Sequence, residues 1–267
     1  MKQGWTPKAT AWRFSWDALC LFNITHPGRP PCGGVDKRVD GLIKTIQLIV
    51  ERDPALVEVV VRSLQISGLA LLFSTLVGIP LGAWLGLKRF PGRWLAMALI
   101  YTGMGFPPVV IGLFVYLLLS RSGPLGMLNW LFTPNAMVLA QTIICFPLIA
   151  GFTMAAVLGV DPHLRQQLQA LGASEWQATR AILSEARVGV VVSVVAGFGS
   201  IISEVGAVML VGGNIEGKTR VLTTAIVLET RKGNFDLALA LGLVLLGLSF
   251  VANLAMLRLQ GELVLRR

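Results

Sequence analysis

The residues best suited to chemistry lie late in the chain. Gly212-Gly213-Asn214-Ile215-Glu216-Gly217-Lys218-Thr219 reads as G-x-x-x-x-G-K-T, the spacing of a phosphate-cradling loop. In nucleotide hydrolases that loop follows a β-strand, but here a long apolar run of membrane type precedes it, and no companion acidic strand appears elsewhere. The topology derived below also puts the loop outside the cell, where nucleotide is scarce, so the nucleotide reading is rejected. The chemistry of the side chains survives. Glycines leave backbone N–H groups open, and Lys218, Thr219, Arg220, Thr223 and Thr224 add cations and hydroxyls, a set that suits a tetrahedral oxyanion. The competing reading is a surface loop that starts a helix. Glu204, the only charge between 188 and 211, has two readings as well. An intramembrane carboxylate costs about 2.5–3.5 kcal/mol on insertion scales, so it faces either a watery pore, as a gate residue, or an ion-pair partner such as Arg220. Nothing else forms a constellation. His26 and His163 share no motif, and Cys20, Cys32 and Cys145 are too few and scattered for a disulfide framework or a zinc site. No nucleophile–base set, metal site or cofactor site is visible.

The elements that must position these residues are apolar helices. Of 267 residues, 54% are hydrophobic and 14% charged, with mean hydropathy +0.71. A soluble domain carries about 25% charge, and here the charges cluster between long uncharged runs, so the chain reads as an all-α polytopic membrane protein. The net charge of +9 fits basic cytoplasmic loops, not nucleic-acid binding. Five spans are predicted, at 64–87, 94–120, 136–160, 188–211 and 237–257. The loop Lys88-Arg89-Phe90-Pro91-Gly92-Arg93 is basic and short, which marks it as cytoplasmic. Arg258, Arg266 and Arg267 put the C-terminus on the same side. Residues 1–40 show no sustained period and read as a poorly ordered extension or as translation from a start codon placed too far upstream. Residues 41–63 carry apolar positions at helical spacing and read as an interfacial helix, with Asp53-Pro54 restarting it and Glu58 and Arg62 paired at i, i+4. The membrane-spanning body is 64–257, and 258–267 is a cytoplasmic tail. Residues 220–231 form a short amphipathic helix.

Inside the second predicted span, Gly103-x-Gly105-Phe106-Pro107-Pro108 removes backbone donors and must bend or break the helix. Such breaks occur in a membrane where protein buries the backbone or where it lines a cavity, so Gly105, Pro107 and Pro108 are read as pathway-lining residues, with a packing kink as the alternative.

Between the third and fourth spans lies a polar island, 161–187. Asp161-Pro162 is a helix start, Gly172 a helix stop and Ser174-x-x-Gln177 a capping box that begins a second helix. Leu164, Leu168 and Leu171 give the first helix one apolar ridge. A capped, bent element of this kind either presses on something in the water phase or is an ordinary interhelical loop.

The island resembles the EAA loop of ABC importer permeases. Gln166-Gln167-Leu168 stands where the family has Glu-Ala-Ala, Gly172 holds its glycine and Ile182 its isoleucine, while Ser184-Glu185 replaces Leu-Pro. The stretches 203–214 and 219–226, with Phe106-Pro-Pro-Val-Val-Ile-Gly-Leu113, Gly123-Pro-Leu-Gly126 and Phe132-Thr-Pro134, resemble the tungstate branch of the molybdate/sulfate-type importer permeases, and the resemblance runs from about Gly41 to the C-terminus. It implies the transmembrane domain of a type I ABC importer in a bacterial or archaeal inner membrane, paired with a second copy. It implies an ABC ATPase dimer docked on Gln166, Gln167, Leu168, Leu171, Gly172, Ala173 and Trp176. An extracytoplasmic tungstate- or oxyanion-binding protein would deliver cargo towards Gly212, Gly213, Asn214, Lys218, Thr219, Arg220, Thr223 and Thr224. Molybdate or sulfate is the alternative cargo. The alternatives from other classes are a motor-independent channel or carrier, for which internal repeats are not seen, and a membrane-embedded enzyme, for which only Glu204 is available.

Overall fold

The computed structural model describes residues 54–265, and every regular element among them is helical. In chain order these are α1 (Pro54–Leu87), α2 (Arg93–Met104), α3 (Pro108–Leu119), a 3₁₀ turn (Gly126–Leu128), α4 (Pro134–Leu158), α5 (Pro162–Ala170), α6 (Glu175–Glu185), α7 (Arg187–Ile202), α8 (Gly206–Gly212), α9 (Leu222–Lys232) and α10 (Phe235–Leu265). The readings made for 1–40 and 41–53 lie outside the described residues. α1 starts at Pro54 and runs unbroken through the expected boundary at Leu64, so Glu58 and Arg62 pair at 2.7 Å on the first turns of the span itself. At the other end, helix continues past the expected stop at 257 to Leu265.

α4 is the post on which the rest is built. At ~1.5 Å rise per residue its 25 residues reach across a bilayer core. Buried side chains succeed one another along its whole length: Met137 and Ala140 with Val115, Val208 and Val211; Ile144, Cys145 and Ile149 with Ala70 and Ile201; Ala150 and Met154 with Leu85 and Ile100; Val157 with Ala83 and Ile182. Small residues on α4 and its neighbours make this possible. Gly78, Gly82 and Gly86 fall four apart on α1, all against α4: a Cβ on Gly82 would lie 2.3 Å from the Ala150 carbonyl oxygen, and one on Gly86 2.8 Å from the Val157 Cβ. Between helices already in lipid, close van der Waals approach through such small-residue stripes is a main source of adhesion.

Among the described residues, three helices are long and apolar enough to cross by themselves, α1, α4 and α10, and the expected five crossings are reached there only if each of two bent pairs counts as one span. The second predicted span is broken outright: α2 and α3 meet at 100°. Gly105 ends α2 in a right-handed conformation, Pro107 is extended (φ −61°, ψ 122°), and Pro108 opens α3. The prolines leave no amide to continue the ladder. The fourth predicted span, read from sequence as continuous, is also interrupted, with α7 ending at Ile202 and α8 beginning at Gly206. On its other side α7 meets α6 at 55°, close to Ala186.

Candidate functional site

The polar island folds into an elbow. Asp161 caps α5, its carboxylate accepting the His163 N–H at 2.8 Å. Gly172 has φ +87°, the left-handed conformation that needs no Cβ, and its N–H donates to the Gln169 carbonyl at 3.0 Å. Ser174 and Gln177 form both halves of the capping box: the Gln177 N–H donates to Ser174 Oγ at 3.3 Å and the Ser174 N–H to Gln177 Oε1 at 2.7 Å. Across the bend, Arg165 forms an ion pair with Glu175, and Gln169 donates to the same carboxylate at 2.5 Å. The hydrogen bond and charge of Arg165 hold the Glu175 carboxyl below the usual carboxylate range.

The elbow has an inner and an outer face. Leu164 joins Ala83, Val157, Ile182 and Ala186 at the base of the helical body. Gln166, Gln167, Leu171, Gly172 and Trp176 are exposed, Leu168 and Ala173 half-buried. Leu171 is 85% and Trp176 72% exposed, so the one leucine of the ridge at the hinge and a tryptophan beside it stand in the open. The elbow is thus a capped turn that leaves two large apolar side chains exposed.

The two breaks meet one another. Gly112 of α3 packs so closely on α8 that a Cβ there would lie 2.5 Å from the Ala207 Cα, and a Cβ on Gly206 would lie 2.5 Å from Val109 Cγ2. α3 and α8, the short pieces after each break, are thus one packed unit. The backbone freed by the α7–α8 break is satisfied by side chains. Gln141 of α4 donates to the Ile201 carbonyl at 3.1 Å, Thr223 donates to the Glu204 carbonyl at 3.0 Å, and the Glu204 carboxylate accepts the Ala207 N–H at 3.0 Å. The expected pairing of Glu204 with Arg220 is therefore corrected. Arg220 lies 3.3 Å from Glu216 instead, four residues back in the chain, because the loop curls on itself and keeps both charges at its own rim.

The glycine-rich loop does not present a phosphate cradle. Three of its amides, those of Lys218, Thr219 and Arg220, all donate to the one carbonyl of Ile215 at 2.9–3.2 Å. Thr219 is fully buried and acts as a fastener: its hydroxyl donates to the Gly212 carbonyl at 2.6 Å and accepts the Ile215 N–H at 2.9 Å. The Thr224 hydroxyl caps α9, accepting the Val221 N–H at 3.1 Å. Gly213 (φ +71°) sits against the Phe132 ring, and Asn214 (φ 51°) donates to the Thr224 carbonyl at 3.4 Å. Lys218 stands exposed and, with Arg62, Gln65, Thr133 and Asn135, lines a cleft of about 420 Å³. Of the expected anion-attracting groups the structure brings the hydroxyls and Asn214 inward, as clamps, and leaves Lys218 in solvent with Arg220 at the rim.

Several working residues escaped the sequence reading. Ser63 receives the Leu222 N–H at 2.8 Å and so ties the start of α9 to α1. Gln141 and Gly112 hold the breaks as described. The glycine stripe 78–82–86 was legible as a spacing of four, and Gln141 as the one bulky amide in an apolar span; their partners were not.

A family model described as binding-protein-dependent transport system inner membrane component matches residues 78–263. The probable anion ABC transporter permease protein of Haloferax volcanii is 43% identical over 203 residues, covering 74% of this chain and 88% of that protein. The tungstate uptake system permease protein TupB of Peptoclostridium acidaminophilum is 39% identical over 223 residues, covering 84% of this chain and 98% of that protein. Among solved structures, a chain of the inward-facing MetNI methionine ABC transporter superposes with a TM-score of 0.64 at 19% identity, covering 78% of this chain and 96% of that one. At that identity the likeness speaks for the fold, which is that of an ABC importer transmembrane domain.

Proposed function

The chain belongs to the family of binding-protein-dependent transport system inner membrane components, and on that premise we propose that it is the permease subunit of an ATP-driven importer of a tetrahedral oxyanion, with tungstate as its cargo. As a member of that family it is a transport subunit of the inner membrane, and it performs no catalysis of its own. The observation that carries the oxyanion reading is the extent of likeness to a tungstate permease: 39% identity over a stretch that includes both breaks, the elbow and the basic loop, and 98% of the relative's length.

In this reading two copies enclose the pathway, since one set of helices encloses little. An ABC ATPase dimer receives the elbow through Gln166, Gln167, Leu168, Leu171, Ala173 and Trp176, with Gly172 at the bend. An extracytoplasmic binding protein releases its anion near Lys218 and Arg220. The cargo then passes the two breaks, at Gly105, Pro107 and Pro108 on one span and at Glu204 on the other. Gly212, Gly213, Asn214, Thr219, Thr223 and Thr224 serve this pathway by fixing the backbone around it. Closure of the motor on ATP pushes the elbow, and the capped helices transmit the push to α7 as a unit. Molybdate and sulfate share the charge and shape of tungstate, and the soluble receptor makes much of the choice.

The test is ATP hydrolysis by the reconstituted complex in liposomes, with receptor loaded by tungstate, molybdate or sulfate in turn. Stimulation is expected with tungstate above the other two. Equal hydrolysis with all three, or none with any, would overturn the tungstate assignment.

A further inference from the structure

At the elbow end of the body a second polar concavity remains, unused by the pathway. It measures about 210 Å³ and is lined by Arg89 of the α1–α2 loop, Arg93 at the start of α2, Asp161 and Arg165 around the start of α5, and apolar Leu87, Val157, Leu158, Val160 and Ile182. Three guanidinium groups from three segments converge there against one carboxylate. Asp161 is already engaged in capping the His163 N–H. Arg93 donates to the Leu85 carbonyl at 2.8 Å, which fixes its position but leaves donors over, and Arg165 is shared with Glu175. Glu175 in turn feels Lys88 as well as Arg165. Arg89 is exposed and has no hydrogen-bond or ion-pair partner among the described residues. The lining of the concavity is therefore part cationic and part aliphatic.

We propose that this concavity binds the phosphate headgroup of an anionic phospholipid, held by Arg89, Arg93 and Arg165, with the acyl chains running along the lipid-facing surface beside Leu158. Three observations select a lipid. The lining is amphiphilic, whereas a free anion has no use for its aliphatic residues. Leu158 in its wall is 43% exposed, and Trp94, next in sequence to Arg93, is 75% exposed, so apolar surface continues outward at membrane level. Trp84 and Phe90 stack with ring centroids 4.6 Å apart, an aromatic pair at the end of α1 of the kind that sits at headgroup depth. Basic pockets between membrane helices on the cytoplasmic side are suited to anionic headgroups, and that leaflet carries the negative lipids. The placement rests on the elbow lying at the cytoplasmic surface, as in the proposed function. A headgroup bridging Arg89 to Arg165 joins the α1–α2 loop to α5, so the lipid would brace the elbow against the body.

The test is native mass spectrometry of the full-length chain, delipidated and supplied with phosphatidylglycerol or phosphatidylcholine. Arg89→Gln should lower phosphatidylglycerol retention about fivefold, from the loss of one cation at a lipid surface. It should leave phosphatidylcholine unchanged, and Arg89→Lys should restore most of the difference. Arg121→Gln, which removes a cation outside this concavity, should have no effect. Retention by Arg89→Gln equal to that of the parent overturns the proposal. So does displacement of the lipid by millimolar inorganic phosphate, which would assign the site to a free anion. Unchanged lipid retention with lost ATPase binding would assign it to an acidic side chain of the motor. None of these readouts depends on which oxyanion is carried, so failure here leaves the cargo reading intact.

Discussion

The side-chain amide of Gln141, in the first half of α4, donates to the backbone carbonyl of Ile201 at 3.1 Å, at the C-terminal end of α7. A helix that ends inside a bilayer frees carbonyls that water cannot reach, and protein must satisfy them. Gln141 is 3% exposed, so it does this in the dry core. Its own Oε1 makes no hydrogen bond among the described residues, so the amide is engaged through its donor.

Gln141→Leu is therefore expected to leave the Ile201 carbonyl with only its backbone donor, the Glu204 N–H at 3.3 Å, and to destabilise the body by about 1 kcal/mol, within the range of interhelical hydrogen bonds in membranes. Thermal unfolding of the purified protein in detergent measures it. A melting temperature equal to that of the parent would show that the break is held by its other two clamps, at Glu204 and Thr223.

Gly82→Leu should be far more harmful than Gly68→Leu, although both add the same side chain to α1. A Cβ on Gly82 meets backbone at 2.3 Å, whereas one on Gly68 meets nothing within 4 Å. Overpacking of about 1–3 kcal/mol is expected at Gly82 alone. The yield of folded protein extracted from membranes reads the difference.

Gly172 is required for its backbone, not for space, because a Cβ there also meets nothing within 4 Å. Gly172→Ala should cost about 1 kcal/mol for the left-handed conformation and keep most ATP-driven uptake. Gly172→Pro cannot reach φ +87° and loses the N–H bonded to Gln169, so uptake should be abolished while the chain still inserts. Uptake of labelled oxyanion into proteoliposomes containing the whole complex decides the matter, and normal transport by the proline variant would remove the coupling role.

Glu175 gives the elbow a pH response. Its carboxyl is held below the usual range chiefly by Arg165, so the folded pKa is depressed, and the ion pair stabilises the bend above the unfolded carboxylate pKa. That support is lost as pH falls through the depressed value. Limited proteolysis at the elbow should therefore rise in acid for the parent, and be raised already at neutral pH and flat with pH for Glu175→Gln. The effect is modest, because the pair is exposed to solvent.

Lys218→Ala combined with Arg220→Ala should slow oxyanion uptake about tenfold at low ionic strength, and less as salt rises, because these cations act by long-range attraction. Lys218→Ala alone separates the two, since Arg220 is already paired with Glu216. Uptake rates across a salt series are the measurement. A double variant that transports normally would leave the loop a purely structural role.

The sequence by itself determined the local rules of this protein. The uncharged runs fixed which segments enter a bilayer, Pro107-Pro108 fixed that one of them cannot be straight, and Asp161-Pro162, Gly172 and Ser174-x-x-Gln177 fixed the elbow to the residue, because caps and turns are satisfied within a few positions of chain. Tertiary structure decided what needed a partner from afar. The α7–α8 break carries no proline to announce it and exists because Gln141 and Thr223, from other helices, take up the backbone it releases. In the same way, Thr219 and Thr224 look like anion ligands as letters, yet the fold spends their hydroxyls on Gly212 and Val221. A hydroxyl or carboxylate declares its type in sequence, but whether it faces cargo or carbonyl depends on what packs against it. In a bilayer, with no water to accept the alternative, that packing has the final word.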